Sequence, residues 1–246
     1  MSIAPASADR ICAVVPIKGV VGAKQRLAAA LDADQRSALA MAMAEDVLEV
    51  LAAVPELFRV LVVTADATVA ALASKYGAEV TDAQASEGHT GAVTGGARRL
   101  VREGFSMITL PGDLPLLAPA DVSRVIAAHR AAGADGHPGF TIAPARDFQG
   151  SNAILMTPAD AVPLRFGSNS FYPHLDAARA QGIEPTVVEV PGIGFDIDEP
   201  QDLADFLITT AQTRAGRLVA DFGPDFSARL AAHLERAAPA GMEAGR

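Results

Sequence analysis

The sequence predicts a single α/β domain with a mainly parallel central sheet flanked by helices. Short β-rich runs alternate with helical stretches over most of the chain. A length of 246 residues suits one domain with a sizeable core. Hydrophobic residues make up 50% of the chain but aromatic residues only 5%, which indicates an interior of Ala, Val and Leu side chains. We place this domain over residues 10–212.

The first half of the chain is predicted from apolar runs and their boundaries. Apolar, β-rich runs predict four strands, over residues 11–17, 59–63, 79–81 and 107–110. The alanine-rich run 35–54 predicts an amphipathic helix that ends before a proline. A second helix is expected over 66–76, with Thr64 or Asp66 as its cap. The stretch 88–104 is interpreted as a glycine-punctuated loop that leads into a helix.

The second half continues the alternation. Three more strands are predicted, over 140–143, 153–156 and 185–190. Three more helices are predicted, over 119–132, 170–181 and 199–210. The segment 213–246 is interpreted as an accessory or oligomerisation tail with one helix, 224–236, and its last eight residues are expected to be disordered. A homodimer is the assembly that such a tail suggests.

Composition excludes several classes of function. A net charge of −9 argues against nucleic-acid binding, which requires a broad basic face. The sequence has no apolar run long enough for a membrane span and no signal-peptide pattern, so we expect a cytoplasmic protein without a membrane partner. The single cysteine, Cys12, lies in the first apolar run and is interpreted as a buried small hydrophobe.

Two of the chain's three lysines, Lys18 and Lys24, follow the first predicted strand, together with Arg26. Ligands of α/β proteins bind at the carboxyl ends of strands. An ammonium group on a flexible stem suits the changing geometry of a polyphosphate. We therefore predict a polyphosphate site here; the alternative is a solvated basic loop.

Acidic residues stand at two other strand ends. Asp113 follows a buried strand and is bracketed by glycine and prolines, while Asp196 and Asp198 are two apart, which in extended backbone places both on one face. These three carboxylates predict a site for magnesium, or for manganese in its place. For Asp198 the alternative is a helix cap, because Glu and Pro follow it.

Cations for a polyphosphate and carboxylates for a metal are the groups that phosphoryl or nucleotidyl transfer needs. The sequence has no P-loop, which disfavours kinases and P-loop NTPases. No histidine or cysteine is nominated as a nucleophile, and His89 is interpreted as a solvated polar residue.

Four motifs carry a resemblance to a known family. The first two are Val-Pro-Ile-Lys-Gly-Val-Val-Gly-Ala-Lys-Gln-Arg-Leu at 15–27 and Pro-Gly-Asp-Leu-Pro-Leu-Leu at 111–117. The third combines Gly-Ser-Asn-Ala-Ile-Leu at 150–155 with Phe-Gly-Ser-Asn-Ser at 166–170, and the fourth is Phe-Asp-Ile-Asp-Glu-Pro-Gln-Asp-Leu at 195–203. Over residues 10–210 the chain resembles the CofC/FbiD guanylyltransferases of coenzyme F-420 biosynthesis. The resemblance implies a Rossmann-like, glycosyltransferase-A-like nucleotidyltransferase fold. It also implies transfer of GMP from GTP to 2-phospho-L-lactate, phosphoenolpyruvate or 3-phospho-D-glycerate, and hand-off of the product to a transferase that joins it to a deazaflavin.

Carried over to this chain, the resemblance assigns each substrate a set of residues. GTP would be bound by Lys18, Lys24, Arg26, Gly88 and Thr90. The three cations of this set would be catalytic, together with Asp113. Asp113, Asp196 and Asp198 would hold the metal. The acceptor acid would be bound by Ser151, Asn152, Gly167 and Ser170. A phosphate site at Ser170 also agrees with its place at the start of a predicted helix, whose first amides would be free.

Other interpretations stay open at the level of sequence. Ser170 is equally a plain helix cap, and Asn152 equally a turn residue that satisfies backbone groups. The rival functions are a molybdopterin-type cytidylyl- or guanylyltransferase, which shares the fold but opens on a glycine-rich loop, and a non-catalytic nucleotide-binding protein. The sequence does not select among the three acids.

Overall fold

The computed structural model of the protein describes residues 7–133, 137–167 and 169–237. The described residues form seven strands: β1 (Ser7–Pro16), β2 (Leu57–Val63), β3 (Glu79–Thr81), β4 (Phe105–Thr109), β5 (Gly139–Pro144), β6 (Ser151–Thr157) and β7 (Thr186–Val187). The helices are α1 (Ala33–Ala52), α2 (Ala67–Lys75), α3 (Gly88–Arg102), α4 (Pro119–Ala131), α5 (Phe171–Ala180), α6 (Pro191–Gly194), α7 (Pro200–Ile208), α8 (Arg214–Ala220) and α9 (Gly223–Ala237). Two short 3-10 helices, Gln25–Ala29 and Ala85–Glu87, precede α1 and α3.

The seven strands form one sheet in the order β3-β2-β1-β4-β6-β5-β7. Only β6 runs against the others: it pairs antiparallel with β4 and with β5, while every other recorded strand pairing is parallel. The predicted mainly parallel sheet is confirmed. The reversal at β6 follows from the short link 145–150, because a parallel neighbour requires a much longer crossover.

Strand β1 lies at the point where the chain changes direction across the sheet. The chain first moves outward from β1 to β2 and β3, and then returns to place β4 on the other side of β1. In open α/β sheets ligands bind outside the carboxyl ends of strands at such a switch point. The loop that carries Lys18 and Lys24 begins there.

Helices cover both faces of the sheet, as predicted. Alternate β1 residues point to opposite faces, so that Ala13 and Val15 join the core beneath α1 and α4, whereas Cys12 and Val14 join the core beneath α3 and α5. All four side chains are fully buried. The burial of Cys12 is the environment that its apolar neighbours predicted.

Helix α3 starts at Gly88, so the expected loop before a helix is wrong for this stretch. Gly88 itself has a positive φ of 77°, whereas the later glycines of the helix are required by close packing. A Cβ on Gly96 would lie 2.8 Å from Cγ1 of Val14, and one on Gly95 would lie 2.4 Å from the Ala83 carbonyl oxygen. The glycines therefore let the helix approach β1 and the preceding segment more closely than larger residues would allow.

The last helices pack on the rest of the domain. Side chains of α8 and α9 share a buried cluster with α1, α7 and the 3-10 helix Gln25–Ala29, in which Phe226 and Leu230 lie with Leu27 and Phe206. Helices α6 and α8 were not expected from the sequence. The expected disorder of the last eight residues, 239–246, lies outside the described residues. Within the described ranges no helix is both long and apolar enough to cross a bilayer.

Candidate active site

Two adjoining cavities open at the carboxyl ends of β1 and β4. Their volumes are about 860 Å³ and about 710 Å³. Both are lined by the same five residues, Arg26, His89, Pro111, Asp113 and Asp198. The arrangement is therefore one cleft with two compartments that meet at a pair of carboxylates.

The smaller compartment is formed by the loop after β1, which contributes residues 16–26. Lys18 is exposed there, and among the described residues no carboxylate pairs with its ammonium group. Arg26 is 67% exposed, and its Nη1 lies 3.8 Å from both Asp198 Oδ2 and Glu199 Oε1. These two cations have room to reach an anion that enters the compartment.

Lys24 lies where the compartments meet. Its side chain is 10% exposed, and its Nζ donates to Asp113 Oδ2 at 2.5 Å and to Asp198 Oδ1 at 2.8 Å. Burial opposes the charged ammonium, but the two carboxylates outweigh burial and raise the pKa of Lys24 above its ordinary value. Lys24 is therefore a buried cation held between two anions.

Asp113 is fixed at the end of β4 by its neighbours. A Cβ on Gly112 would lie 3.0 Å from Cγ1 of Ile17, so the backbone before Asp113 lies against the β1 loop. One carboxylate oxygen binds Lys24, while the other, Oδ1, is buried and has no hydrogen-bond partner among the described residues. A buried oxygen without a partner is costly unless a ligand binds it.

Asp196 is held by the side chain of Asn152, which lies on β6. The Nδ2 of Asn152 donates to Asp196 Oδ1 at 3.0 Å and to the Ile193 carbonyl at 2.9 Å. Burial raises the pKa of Asp196 to about 6; the hydrogen bond from Asn152 opposes this shift, and the negative charges of Asp113 and Asp198 add to it. Asn152 is therefore a strand residue that orients a carboxylate, and not a turn residue.

The three carboxylates that the sequence predicted as metal ligands all line the larger compartment, and in this structure they are not gathered around one point. Among the residues that the structure describes, no set of three or more His, Cys, Asp or Glu side chains is placed to hold a metal ion. The physical reason is that the ammonium of Lys24 lies between Asp113 and Asp198. These two carboxylates nevertheless enclose a position that accepts positive charge.

Asp198 does not cap α7. The N-cap residue of this helix is Glu199, and the backbone N–H groups of Asp198 and Glu199 both donate to Asp202 Oδ2, at 2.9 Å and 2.7 Å. Since Asp202 satisfies these amides, the carboxylate of Asp198 is free to face the cleft and Lys24. The capping alternative for Asp198 is therefore not supported.

The larger compartment brings together the four residues that the sequence placed at the acceptor, Ser151, Asn152, Gly167 and Ser170. Ser170 makes no capping hydrogen bond with α5, so it is not a plain cap. The expectation that the first amides of this helix are free is wrong in part, because the N–H of Phe171 donates to the Gln149 carbonyl at 3.0 Å. Ser151 and Ser170 line the compartment, whereas Phe171 does not.

Two residues predicted to bind GTP line neither compartment. Gly88 is the first residue of α3, and Thr90 lies in its first turn. The hydroxyl of Thr90 accepts a hydrogen bond at 3.0 Å from the backbone N–H of Phe166. Thr90 therefore anchors the loop before α5 in this structure.

Three residues that the sequence did not nominate belong to the cleft or its wall. His89 lines both compartments and lies 4.4 Å, between ring centroids, from Phe166. His89 remains exposed, as expected of a solvated residue; partial desolvation on the cleft wall lowers the pKa of its ring, against the opposing effect of the Asp113 charge. Arg146 lines the larger compartment, and its guanidinium binds Asp202 and Asp205.

The third residue that the sequence did not nominate is His174, which is buried and lies in contact with Ser151. The position of Arg146, three residues after the end of the predicted strand 140–143, was a usable signal. No signal connected His174 to Ser151, because the contact joins distant parts of the sequence.

The sequence matches a known protein family over most of its length. Residues 11–238 match the family model described as "Guanylyl transferase CofC like". The chain is 40% identical to the phosphoenolpyruvate guanylyltransferase of Rubrobacter xylanophilus over 79% of this chain and 92% of that protein. It is 31% identical to the 2-phospho-L-lactate guanylyltransferase of Methanothermobacter thermautotrophicus over 84% of this chain and 88% of that protein.

Solved structures share the fold at low sequence identity. A nucleotide-diphospho-sugar transferase candidate from Desulfovibrio desulfuricans G20 superposes with a TM-score of 0.70 at 17% identity, covering 91% of this chain and 97% of the other. That likeness concerns the fold alone, and it agrees with the nucleotidyltransferase architecture predicted from the sequence. With a match to the family model that spans nearly the whole described structure, the chain belongs to the CofC-like guanylyl transferase family.

Proposed function

We propose that the protein transfers GMP from GTP to the phosphate of a three-carbon phospho acid and releases pyrophosphate. The observation that carries this proposal is the cleft of two compartments that meet at Asp113 and Asp198. Cations stand beside the carboxylates in both compartments, Lys18 and Lys24 in the smaller, Arg146 in the larger and Arg26 in both, which gives each compartment a group that can bind an anionic substrate. The relative that is 40% identical is named for phosphoenolpyruvate, so we take phosphoenolpyruvate as the first acceptor.

The smaller compartment would bind the triphosphate of GTP. Lys18 and Arg26 are exposed and can bind phosphate oxygens directly. Lys24 would exchange one of its two carboxylate partners for a phosphate oxygen, which keeps its buried charge compensated. The Gly88 and Thr90 segment would act indirectly, since Thr90 anchors the loop at Phe166.

The carboxylates fit a divalent cation brought in with the nucleotide. Asp113 offers a buried oxygen without a partner, and Asp113 and Asp198 already enclose the ammonium of Lys24. We propose that these two carboxylates, with Asp196, hold Mg²⁺, or Mn²⁺ in its place. Bound Mg²⁺ supplies charge neutralisation on the triphosphate. The role of Asn152 is then to keep Asp196 oriented towards the cleft.

The larger compartment would bind the phospho acid next to the α-phosphorus of GTP. A phosphate oxygen of the acid forms a bond to that phosphorus, the bond from it to the bridging oxygen breaks, and pyrophosphate leaves with the electron pair. The acceptor phosphate is already anionic at neutral pH, so the step requires no general base. The site supplies orientation and compensating charge through Lys18, Lys24 and Arg26.

The proposed product is a phosphoanhydride that joins GMP to the acid. In the pathway that the family serves, we propose that it passes to the transferase that attaches the acid to a deazaflavin. A rival activity, transfer of CMP or GMP to a molybdopterin, is disfavoured by the family match. The remaining rival is a protein that binds nucleotide without catalysis.

The test is a pyrophosphate-release assay with GTP or CTP, Mg²⁺ or Mn²⁺, and each of the three acids, followed by mass analysis of the product. We expect release with GTP and phosphoenolpyruvate, and a product mass equal to the acid plus GMP minus water. Binding of GTP without pyrophosphate release from any acid would identify a non-catalytic protein. Release with CTP alone would contradict guanylyl transfer.

A further inference from the structure

His174 lies behind the larger compartment and is not one of the residues that line it. It is 1% exposed and belongs to the first turn of α5. Both of its ring nitrogens have partners: Nδ1 lies 2.9 Å from Ser151 Oγ, and Nε2 lies 3.0 Å from the backbone nitrogen of Arg165. A buried imidazole with both nitrogens bonded is held in one orientation.

The partner at Nε2 decides where the ring proton is. The backbone N–H of Arg165 can only donate, so Nε2 must be the unprotonated acceptor. Burial lowers the pKa of His174 to about 4, with a smaller contribution from His89, so the ring is neutral near pH 7. Its one N–H is then on Nδ1, and it donates to Ser151 Oγ.

Ser151 in turn lies 3.2 Å from the hydroxyl of Ser170. Each serine hydroxyl carries one proton, and only one of these two protons can lie between Ser151 Oγ and Ser170 Oγ. If Ser170 donates to Ser151, both lone pairs of Ser151 are occupied and its own proton must point elsewhere. If Ser151 donates to Ser170, the proton of Ser170 is the one left over. Across the described residues neither hydroxyl has another protein acceptor.

We propose that His174 is a positioning residue for the acceptor acid: its Nδ1–H sets the direction of a hydrogen-bond chain that ends in a serine O–H donated into the larger compartment. This inference rests on the proposed function, because it takes the anionic phospho acid as the group that receives the proton. An anion has acceptor oxygens only, so it requires donors from the wall of its site. The chain runs from Arg165 through His174 to the serine pair.

The opposite tautomer would not secure a donor for the acid. With the proton on Nε2, Nδ1 would be an acceptor and Ser151 would donate away from the compartment, towards the ring. Ser170 would then either donate to Ser151, which leaves only lone pairs facing the anion, or give up that hydrogen bond to donate to the acid. The tautomer with the proton on Nδ1 leaves one serine O–H for the acid with every hydrogen bond of the chain intact.

The tautomer is measurable in the wild-type protein without any substrate. Two-bond ¹⁵N–¹H correlation spectra of histidine-labelled protein distinguish a protonated ring nitrogen from an unprotonated one. We expect His174, assigned by comparison with the spectrum of His174→Gln, to be neutral at pH 7 with its proton on Nδ1. A proton on Nε2, or on both nitrogens, would overturn the inference.

Two substitutions of His174 distinguish the role of Nδ1 from the role of Nε2. The amide of asparagine lies near the position of Nδ1, whereas the amide of glutamine reaches the position of Nε2. We expect His174→Gln to raise the KM for phosphoenolpyruvate about tenfold or more, the effect of one lost hydrogen bond to a charged group, with the KM for GTP unchanged. His174→Asn, which can still donate to Ser151, should recover most of the acceptor KM. Equal effects of both substitutions on the acceptor KM would count against the chain.

A double-mutant cycle shows whether His174 acts through Ser151. In a Ser151→Ala background, His174→Gln should leave the acceptor KM unchanged, because the chain is already interrupted. Full multiplication of the two effects would mean that His174 acts only through general packing, and would overturn the proposal. If wild-type protein turns over none of the three acids, the proposed function fails, while the tautomer measurement still decides the direction of the chain.

Discussion

At the scale of single residues, the most informative position is Lys24. Its backbone has the left-handed conformation, with φ of 52°, at the start of the 3-10 helix Gln25–Ala29. This conformation is uncommon for a residue with a side chain and occurs often at functional sites. The loop thereby directs the ammonium inward between Asp113 and Asp198. A solvated basic loop would not bury a lysine in this way.

Removal of either partner in this contact is expected to impair turnover. Lys24→Ala and Asp113→Asn should each lower kcat/KM about 100- to 1,000-fold, because each removes one electrostatic contact with the reacting phosphates or the metal. The measurement is steady-state pyrophosphate release with GTP and phosphoenolpyruvate.

The chain offers a matched control in its third lysine. Lys75 is 63% exposed and pairs with Glu45, outside the cleft. Lys75→Ala should retain the wild-type rate. Wild-type activity in Asp113→Asn would remove that carboxylate from the mechanism.

At the scale of elements, the packing of α3 on β1 yields a stability prediction. A Cβ at position 96 would lie 2.8 Å from Val14 Cγ1 in a fully buried layer. Gly96→Ala should therefore lower the free energy of unfolding by about 1–3 kcal/mol through overpacking, although alanine favours helices. Urea denaturation measures the change.

The control for this substitution is on the exposed side of the same helix. Arg102→Ala lies at the exposed end of α3 and should change the free energy of unfolding by less than about 0.5 kcal/mol. If Val14 is the cause, Val14→Ala should relieve part of the penalty of Gly96→Ala. Simple addition of the two losses would indicate a different cause.

The attachment of α8 to α1 depends on one buried carboxylate. Asp46 is 7% exposed, and it accepts from the backbone N–H groups of Arg214 and Ala215, at 2.9 Å each. Asp46→Ala leaves two donors at the start of α8 without partners, and should cost about 2–3 kcal/mol of unfolding free energy. Glu49→Ala removes an exposed partner of Arg214 and should leave the unfolding free energy close to that of the wild type.

Urea denaturation of both variants tests this difference. An Asp46→Ala protein as stable as Glu49→Ala would show that the carboxylate does not hold the C-terminal helices in place.

At the scale of the whole molecule, buried histidines make stability depend on pH. His129 is 1% exposed, and its ring nitrogens bond to the hydroxyls of Thr141 and Thr157. Burial, helped by the positive charge of Arg130, lowers the pKa of His129 to about 4, and the pKa of His174 is also lowered to about 4. Both rings are therefore neutral in the folded protein at neutral pH.

The sign follows from the protons that each state binds. Between about pH 4 and 6.5 the unfolded chain protonates these histidines and the folded chain does not, so stability should fall as pH falls through this window. The contribution is about 2–3 kcal/mol for each ring. The pKa of Asp196, raised to about 6, acts in the opposite direction and offsets part of this loss.

Denaturant unfolding at several pH values between 4 and 7 measures this slope. His129→Gln should flatten it, whereas the exposed His137→Gln should leave it unchanged. A slope that is the same with and without His129 would show that its protonation is not linked to unfolding.

The sequence was sufficient for those features that depend on local pattern. Apolar runs located the strands, and Asp66 caps α2 as one of two predicted candidates. The reversed direction of β6 was missed because an apolar strand has the same pattern in either direction. The start of α3 was missed because its glycines resemble turn signals, although Gly95 and Gly96 are required by close packing against the preceding segment and β1.

The same division holds for the site. Motifs placed Lys24, Asp113 and Asp198 in one region, and the structure brings them into contact. The position of the Lys24 ammonium between the carboxylates, and the bond from His174 to Ser151, depend on tertiary geometry. A sequence pattern reports neither hydrogen-bond direction nor which of two anions holds a cation.

The two edges of the sheet have a consequence for how the protein behaves at high concentration. The edge strands are β3 and β7, which span three and two residues, Glu79–Thr81 and Thr186–Val187. Edges this short expose few unpaired backbone groups to another chain, and very short edge strands are a means by which proteins avoid pairing edge to edge. The longer apolar strands lie in the interior of the sheet. Self-association through strand addition at these two edges is therefore disfavoured, which favours solubility at high protein concentration.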